Sequence, residues 1–371
     1  MTAPQPEIDP SRLEGRLAGL AGIDRVRATS GPEPVYLVGG VVRDLLLGLE
    51  EIANLDLVVE GNAAALAERL GAEPTLHERF GTATVTLGET LVDIASARRE
   101  SYSRPGALPE VEPASLADDL ARRDFTVNAM ALPLENPARL IDPHGGLADL
   151  EARLLRLLHP RSFCDDPTRA LRAARYAARL GLSLEPGTAA LLAQADLGTV
   201  SAERVEAELR RQASEDDPAP GFGLIGEWGL IDIDADAVGL IAELSRLLAA
   251  EPWSDAADRR EAILAVAQGR LQGPRALVAA DPQRPSDAVE AAHGHSGEEL
   301  AVARALGAAW LDRYLAEWRD VRLEIGGEDL LAAGVERGPA IGRGLAAALR
   351  AKLDGEISGR ADELRVARDA S

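Results

Sequence analysis

The residues richest in chemistry lie in the segment DDPTRALRAARYAAR, positions 165–179. Asp166 precedes Pro167, and Arg169, Arg172, Arg175 and Arg179 follow at every third or fourth position. Proline suits a first helical position because its missing N–H would be unsatisfied there, which makes Asp166 the expected N-cap. A carboxylate acceptor beside a fork of guanidinium donors can read the edge of a base, and arginines behind it can hold phosphates. The same pattern also fits a capped amphipathic helix with a solvated basic face. Residues 151–181 carry seven arginines against three acids, a local basic strip suited to a selective RNA contact.

Three other clusters carry chemistry. Gly39-Gly40, between an apolar run and a helical one, reads either as a simple phosphate cradle, with Arg43 near the helix start as a charged clamp, or as a purely structural turn. Asn54 and Asp56, two apart on an expected strand, project to one face, and Asp93 on a later strand can approach the same point. Nucleotidyl transfer needs such a cluster, because carboxylates hold the divalent ions that activate an attacking hydroxyl and stabilise leaving pyrophosphate. Asn54 offers oxygen without charge, and Asp93 also reads as an ordinary strand-end polar residue. The run RRDFTVNAM, positions 122–130, either binds a triphosphate and a ribose or closes a helix with surface charge.

These clusters need elements to hold them. The first third reads as α/β: a strand at 35–38, a helix at 41–47 stopped by Gly48, a strand at 54–60 and a helix at 63–70. A hairpin over 82–87 and 90–95, a Pro/Gly-rich loop at 103–113 and a helix at 116–122 follow. From about 148 onward the pattern is helical, with expected linkers at 214–223 and 281–297. The 371 residues are 46% apolar and only 3% aromatic, which fits a globular, mostly helical body of two or three domains. A net charge of −21 argues against indiscriminate coating of nucleic acid. No apolar run is long enough to cross a membrane, and the N-terminal residues lack a secretory pattern. A lone Cys164 excludes an intrachain disulfide and a cysteine-rich zinc site, so the chain reads as cytoplasmic. His293 and His295 lack a third ligand nearby, and His77, His144 and His159 read as surface or packing residues.

LVGGVVRDLLLG, NLDLVVEG, RRDFTVNAM, IDPHGGLADL, DDPTRALRAAR and VSAERVEAEL occur here in one order, over 35–211. That series resembles the motifs of the class II tRNA nucleotidyltransferase (CCA-adding enzyme) and bacterial poly(A) polymerase family. A weaker echo lies at 325–342. The resemblance implies an α+β protein, with an α/β nucleotidyltransferase head at 1–133 and a helical, base-reading neck at 134–213. A helical body and tail that bind tRNA would follow at 214–371. It also implies Mg²⁺ at Asn54 and Asp56, with Asp93 from the strand reading as a third ligand, and contacts to ATP or CTP from Gly40 and Arg43, beside Gly39 of the cradle. Arg123 and Asp124 would hold the triphosphate and ribose. Asp166 and Arg169 would pair with the Watson–Crick edge of cytosine or adenine, with Arg172 and Arg175 completing that site. Cytosine and adenine share a donor beside an acceptor, so one acid–guanidinium pair suits both; guanine and uracil reverse that order and leave groups unpaired.

The expected activity is untemplated addition of CMP and/or AMP to the 3′ end of tRNA. A poly(A) polymerase is the alternative enzyme, and an inactive RNA-binding relative the alternative of another class. The departure is Asn54, where the family usually has Asp. Either Asp56, Asp93 and the triphosphate suffice, or Glu50 or Glu51 compensates, or catalysis is lost and RNA binding kept. The segment at 98–113 corresponds to one the family uses near the active site during nucleotide switching, which favours addition that includes the terminal A.

Overall fold

Alternation in β2 (Asn54–Val59) sends Leu55, Leu57 and Val59 into the core and Asn54, Asp56 and Val58 to the opposite face. The computed structural model describes residues 13–49, 52, 54–71, 73–77, 81–137 and 139–371. Two short helices, α1 (Leu13–Ala18) and α2 (Ile23–Thr29), precede β1 (Val35–Val38) and α3 (Gly40–Leu47). After β2 come α4 (Ala63–Arg69), β3 (Thr75–His77), β4 (Thr82–Leu87) and β5 (Thr90–Ser96). The pair β6 (Arg98–Ser101) and β7 (Glu110–Pro113) leads to α5 (Leu116–Ala121) and β8 (Ala131–Pro133). One sheet runs β3-β4-β5-β2-β1-β8, with β2 parallel to β5 and every other neighbour antiparallel.

The two faces of this sheet are covered unequally. Leu37, Leu57, Val85, Val92 and Ile94 pack with residues of α1 to α4 in the main core. On the other face, Leu116 and Leu120 of α5 cover only Val38, Val58, Ala131 and their neighbours. Asp56, Asp93, Thr82 and Thr84 stay on the uncovered part of that face. Burying the apolar face drives the register, since a slip of one residue would send the carboxylates into the core.

The elements expected from periodicity match within two residues. The exception in the head is 103–113, expected as a loop; its end is β7, which pairs with β6 and is laced by Arg99 Nε to Glu112 at 2.9 Å. Beyond β8 come α6 (Gly146–Glu151), a two-residue strand β9 (Leu154–Leu155), α7 (Ser162–Asp165) and α8 (Thr168–Leu180). A partner strand β10 (Ser183–Leu184), α9 (Pro186–Ala190) and α10 (Ala202–Ala213) follow. Helix α8 starts one residue later than expected, with Pro167 in the cap position, and Asp166 Oδ1 accepts from the Thr168 backbone N–H at 3.1 Å.

The chain divides into two compact units, Met1–Glu208 with Glu227–Ile231, and Leu209–Gly226 with Asp232–Ser371. The segments expected as head and neck therefore share one unit through Glu208. The second unit is helical, with packed helices that include Ala235–Leu247, Arg259–Ala267 and Gly297–Ala305. Its C-terminal helices Pro339–Leu353 and Gly359–Asp369 bury Ala348 and Ala367 against Ile325 and Leu330. Neither expected linker is one. Helix Ala219–Glu227 begins inside 214–223, and Pro285–Ala292 fills the middle of 281–297. Proline stands in the first turn of both, where it starts a helix rather than breaking one. Among the described residues no helix is long and apolar enough to cross a membrane.

Candidate active site

The parallel register of β2 and β5 sets Asp56 beside Asp93, and the β4 register sets Thr84 on the far side of Asp93. Thr84 Oγ1 donates to Asp93 Oδ1 at 2.6 Å and fixes that carboxylate. Both acids line a cavity of about 420 Å³, with Arg123 at one side and Thr82, Thr84 and His77 at the other. Burial pushes the Asp56 carboxyl above the usual carboxylate range; Arg123 offsets part of this and the like charge of Asp93 adds to it. Asn54 is exposed on the same face, two residues before Asp56. Among the described residues no group of three His, Cys, Asp or Glu is placed to hold a metal. Glu50 and Glu51 lie outside the described residues. The donor set is two adjacent carboxylates with an amide oxygen nearby. It fits a divalent cation that takes its remaining oxygens from a bound triphosphate.

The Gly39-Gly40 turn stands next to this cavity. Gly39 has φ 70° and ψ −132°, a conformation that L side chains rarely adopt, and α3 starts at Gly40. A Cβ at Gly39 would stand 2.7 Å from Arg123 Nη1. Arg123 Nη2 in turn donates to Asp119 at 3.0 Å, so the guanidinium is held at the turn from behind. Gly39→Ala is expected to lose about 1–3 kcal/mol of stability through backbone strain. Thermal melting checks this; a variant as stable as wild type would contradict the backbone constraint at Gly39.

The arginines of α8 do not form a solvated strip. Arg169 and Arg175 are 6% and 8% exposed. Arg172 donates to Asp124 at 2.8 Å and pairs with Glu208, Arg175 pairs with Glu208, and Arg179 pairs with Asp44. The expected continuous basic strip is thus corrected: Arg172 and Arg175 are paired with acids distant in sequence and Arg169 is buried, while Arg179 stays exposed beside Asp44. Arg43, Arg172 and Arg175 surround the ring of Tyr176, with guanidinium carbons 5.1, 5.5 and 4.8 Å from its centroid. Arg43 also donates to Asn128 Oδ1 at 2.5 Å and to Asp44 at 2.8 Å, which places it beneath the glycine turn.

Asp124 joins the two halves of this network. Its oxygens accept from Arg172, from Asn128 Nδ2 at 3.0 Å and from the Phe125 N–H at 2.8 Å. Burial alone would raise its carboxyl, but Arg172, Asn128 and Arg169 outweigh that and hold it well below the usual carboxylate range. Periodicity gave no sign of Asn128, Tyr176, Glu208 or Thr84 as partners here, since none recurs at a spacing that marks it.

At the head of α8, Asp166 Oδ1 accepts from Thr168 Oγ1 at 2.6 Å and from Arg204 Nη2 at 2.8 Å. Arg204 Nη1 donates to the Gly106 carbonyl at 2.9 Å, tying the β6–β7 connection to the same residue pair. Arg169 lies one helical turn on, donating to Ser162 Oγ at 2.5 Å and to the Arg122 carbonyl at 2.9 Å. The expected site residues therefore fall into three groups: Gly39, Gly40, Asn54, Asp56, Asp93 and Arg123 at or beside the cavity, Arg43, Asp124, Arg172 and Arg175 in the network around Tyr176, and Asp166 and Arg169 at the head of α8. Away from these groups, His295 Nδ1 is paired with Glu299 at 2.9 Å.

Residues 35–156 match the family model described as "Poly A polymerase head domain". The CC-adding tRNA nucleotidyltransferase of Deinococcus radiodurans is 35% identical over 363 residues, covering 94% of this chain and 92% of that protein. The chain belongs to the class II tRNA nucleotidyltransferase family. The A-adding tRNA nucleotidyltransferase of Aquifex aeolicus is 53% identical over 166 residues, 43% of this chain. This family member spans 20% of the length of that relative, and under half of two further A-adding relatives. The Thermotoga maritima CCA-adding enzyme, solved in complex with tRNA, superposes with a TM-score of 0.70 at 30% identity. That superposition covers 97% of this chain and 96% of the other. The α+β architecture, with an N-terminal sheet and a helical remainder, is the family's.

Proposed function

We propose that the protein transfers CMP and/or AMP from CTP and ATP to the 3′ hydroxyl of tRNA without a nucleic-acid template. The observation that carries this is the registered pair Asp56 and Asp93 in one cavity with Arg123, beside the Gly39 turn. Similarity to a CC-adding relative over 94% of the chain and 53% identity to an A-adding one over 166 residues support the same reaction.

Asp56, Asp93 and the Asn54 amide would hold Mg²⁺, whose charge when bound lowers the cost of negative charge on the reacting phosphate. The β- and γ-phosphates lie at Gly39, the start of α3 and Arg123. The attacking 3′ oxygen bonds to the α-phosphorus as the bond to the bridging oxygen breaks, and pyrophosphate leaves with that electron pair. Asp93, held by Thr84, accepts the hydroxyl proton. Asp166 and Arg169 read the base. Among the described residues the hydrogen bonds to the Asp166 carboxylate fall on Oδ1, which leaves Oδ2 for an exocyclic amine. Arg172, Arg175, Asp124 and Arg43 keep that helix in place. The helical second unit would grip the acceptor end of tRNA. Such a substrate places the enzyme in the cytoplasm.

Extension of three RNAs tests this: tRNA ending before CCA, tRNA ending in CC, and an unstructured RNA, each with CTP or ATP. Short additions to tRNA support the proposal. Long A tails on any RNA would make it a poly(A) polymerase, and binding without extension an inactive relative. Asn54→Asp is expected to lower the magnesium needed for half-maximal extension several-fold, because carboxylate binds a hard cation better than amide. An unchanged magnesium titration would remove position 54 from the metal site.

A further inference from the structure

The cavity that holds the carboxylates continues away from the nucleotide. Asp56 and Asp93 stand on the two central strands, β2 and β5. Gly39 and the start of α3 lie at the end of β1, on one side of them, and Arg123 is held there. On the other side lie β4 and β3, and the cavity wall there is Thr82, Thr84 and His77. The antiparallel register pairs His77 with Thr82, so imidazole and hydroxyl stand side by side on the uncovered face. His77 is exposed and Thr82 half-buried, and neither belongs to the arginine network.

In-line displacement puts the attacking oxygen and the leaving pyrophosphate on opposite sides of the α-phosphorus. With the triphosphate on the β1 side, the RNA end arrives over β5 and β4. We propose that His77, Thr82 and Thr84 form the subsite for the last ribose and phosphodiester of the acceptor RNA. Hydroxyl and imidazole groups suit this ligand because they donate to phosphate oxygens and to a 2′-hydroxyl without reading base identity. A subsite blind to base identity is what an enzyme needs if it extends ends that change with each addition. Thr84 already gives its one hydroxyl proton to Asp93, so toward the RNA it accepts, from the ribose 2′-hydroxyl, and thereby couples the seated RNA end to the carboxylate that takes its proton.

This assignment rests on the proposed reaction. The test compares the full-length wild type with His77→Ala/Thr82→Val, which keeps Thr84 and substitutes an exposed and a half-buried position. Steady-state kinetics are measured with the tRNA that the wild type extends, ending before CCA with CTP or ending in CC with ATP, varying RNA at saturating nucleotide and then nucleotide at saturating RNA. The expected result is a loss of about tenfold in kcat/KM for RNA, with the KM for the nucleotide within twofold of wild type. An unchanged kcat/KM for RNA, or a KM for the nucleotide that rises in parallel, would overturn the subsite while leaving the reaction standing. A wild type that extends neither tRNA would overturn the reaction and the subsite together.

Discussion

Asp56→Asn is expected to reduce nucleotide addition by about a thousandfold or more, the rate equivalent of several kcal/mol of lost transition-state stabilisation. Asp56 is the carboxylate at the centre of the cavity, flanked by Asp93 in register and opposed by Arg123. The amide keeps the volume, so melting temperature and tRNA binding should stay close to wild type while turnover disappears. A variant retaining more than a tenth of wild-type activity would place the chemistry elsewhere. The pH dependence follows from the same burial. Because the Asp56 carboxyl titrates above the usual carboxylate range, the acid limb of the wild-type rate profile should lie above about pH 4 at limiting magnesium. Saturating magnesium competes with the proton and should move that limb downward.

Asp124→Ala carries the largest expected structural cost, about 3 kcal/mol, because it leaves Arg172 and the Asn128 amide without their buried acceptor. For a unit of this size that corresponds to a melting temperature lower by roughly 10 °C. The sign of the pH effect is fixed by the depressed carboxyl. Its stabilising contribution is complete above the unfolded value near 4 and fades as pH falls toward the lower folded value. The gap between wild type and variant should therefore be full at neutral pH and shrink in acid. A gap that grows on acidification, or none at pH 7, would contradict the network.

Where one face of an element is apolar, the sequence was readable. The alternation in β2 and β5 placed Asp56 and Asp93 on one face, and Gly39 and Gly48 marked both ends of α3. The burial of Arg169 and Arg175 and the internal pairing of Arg172 were not readable, because a spacing of three and four serves a solvated face and a buried one equally. What decides between them is the position of Asp44, Asp124 and Glu208, which are far away in the chain. The strand β7 escaped notice for a related reason. It follows a Pro/Gly-rich stretch and owes its pairing to β6, with an ion pair across it, rather than to any apolar alternation. The prolines at 220 and 285 looked like linker residues and instead open helices.

Base selection by the head of α8 is the claim on which the account turns. The decisive measurement is a crystal structure of this protein with a non-hydrolysable CTP analogue and magnesium. The account predicts the cytosine amine within hydrogen-bond distance of Asp166 Oδ2, with the guanidinium of Arg169 on the ring nitrogen or carbonyl and the triphosphate at Gly39. A cytosine seated away from positions 166 and 169, with the triphosphate in place, would contradict it.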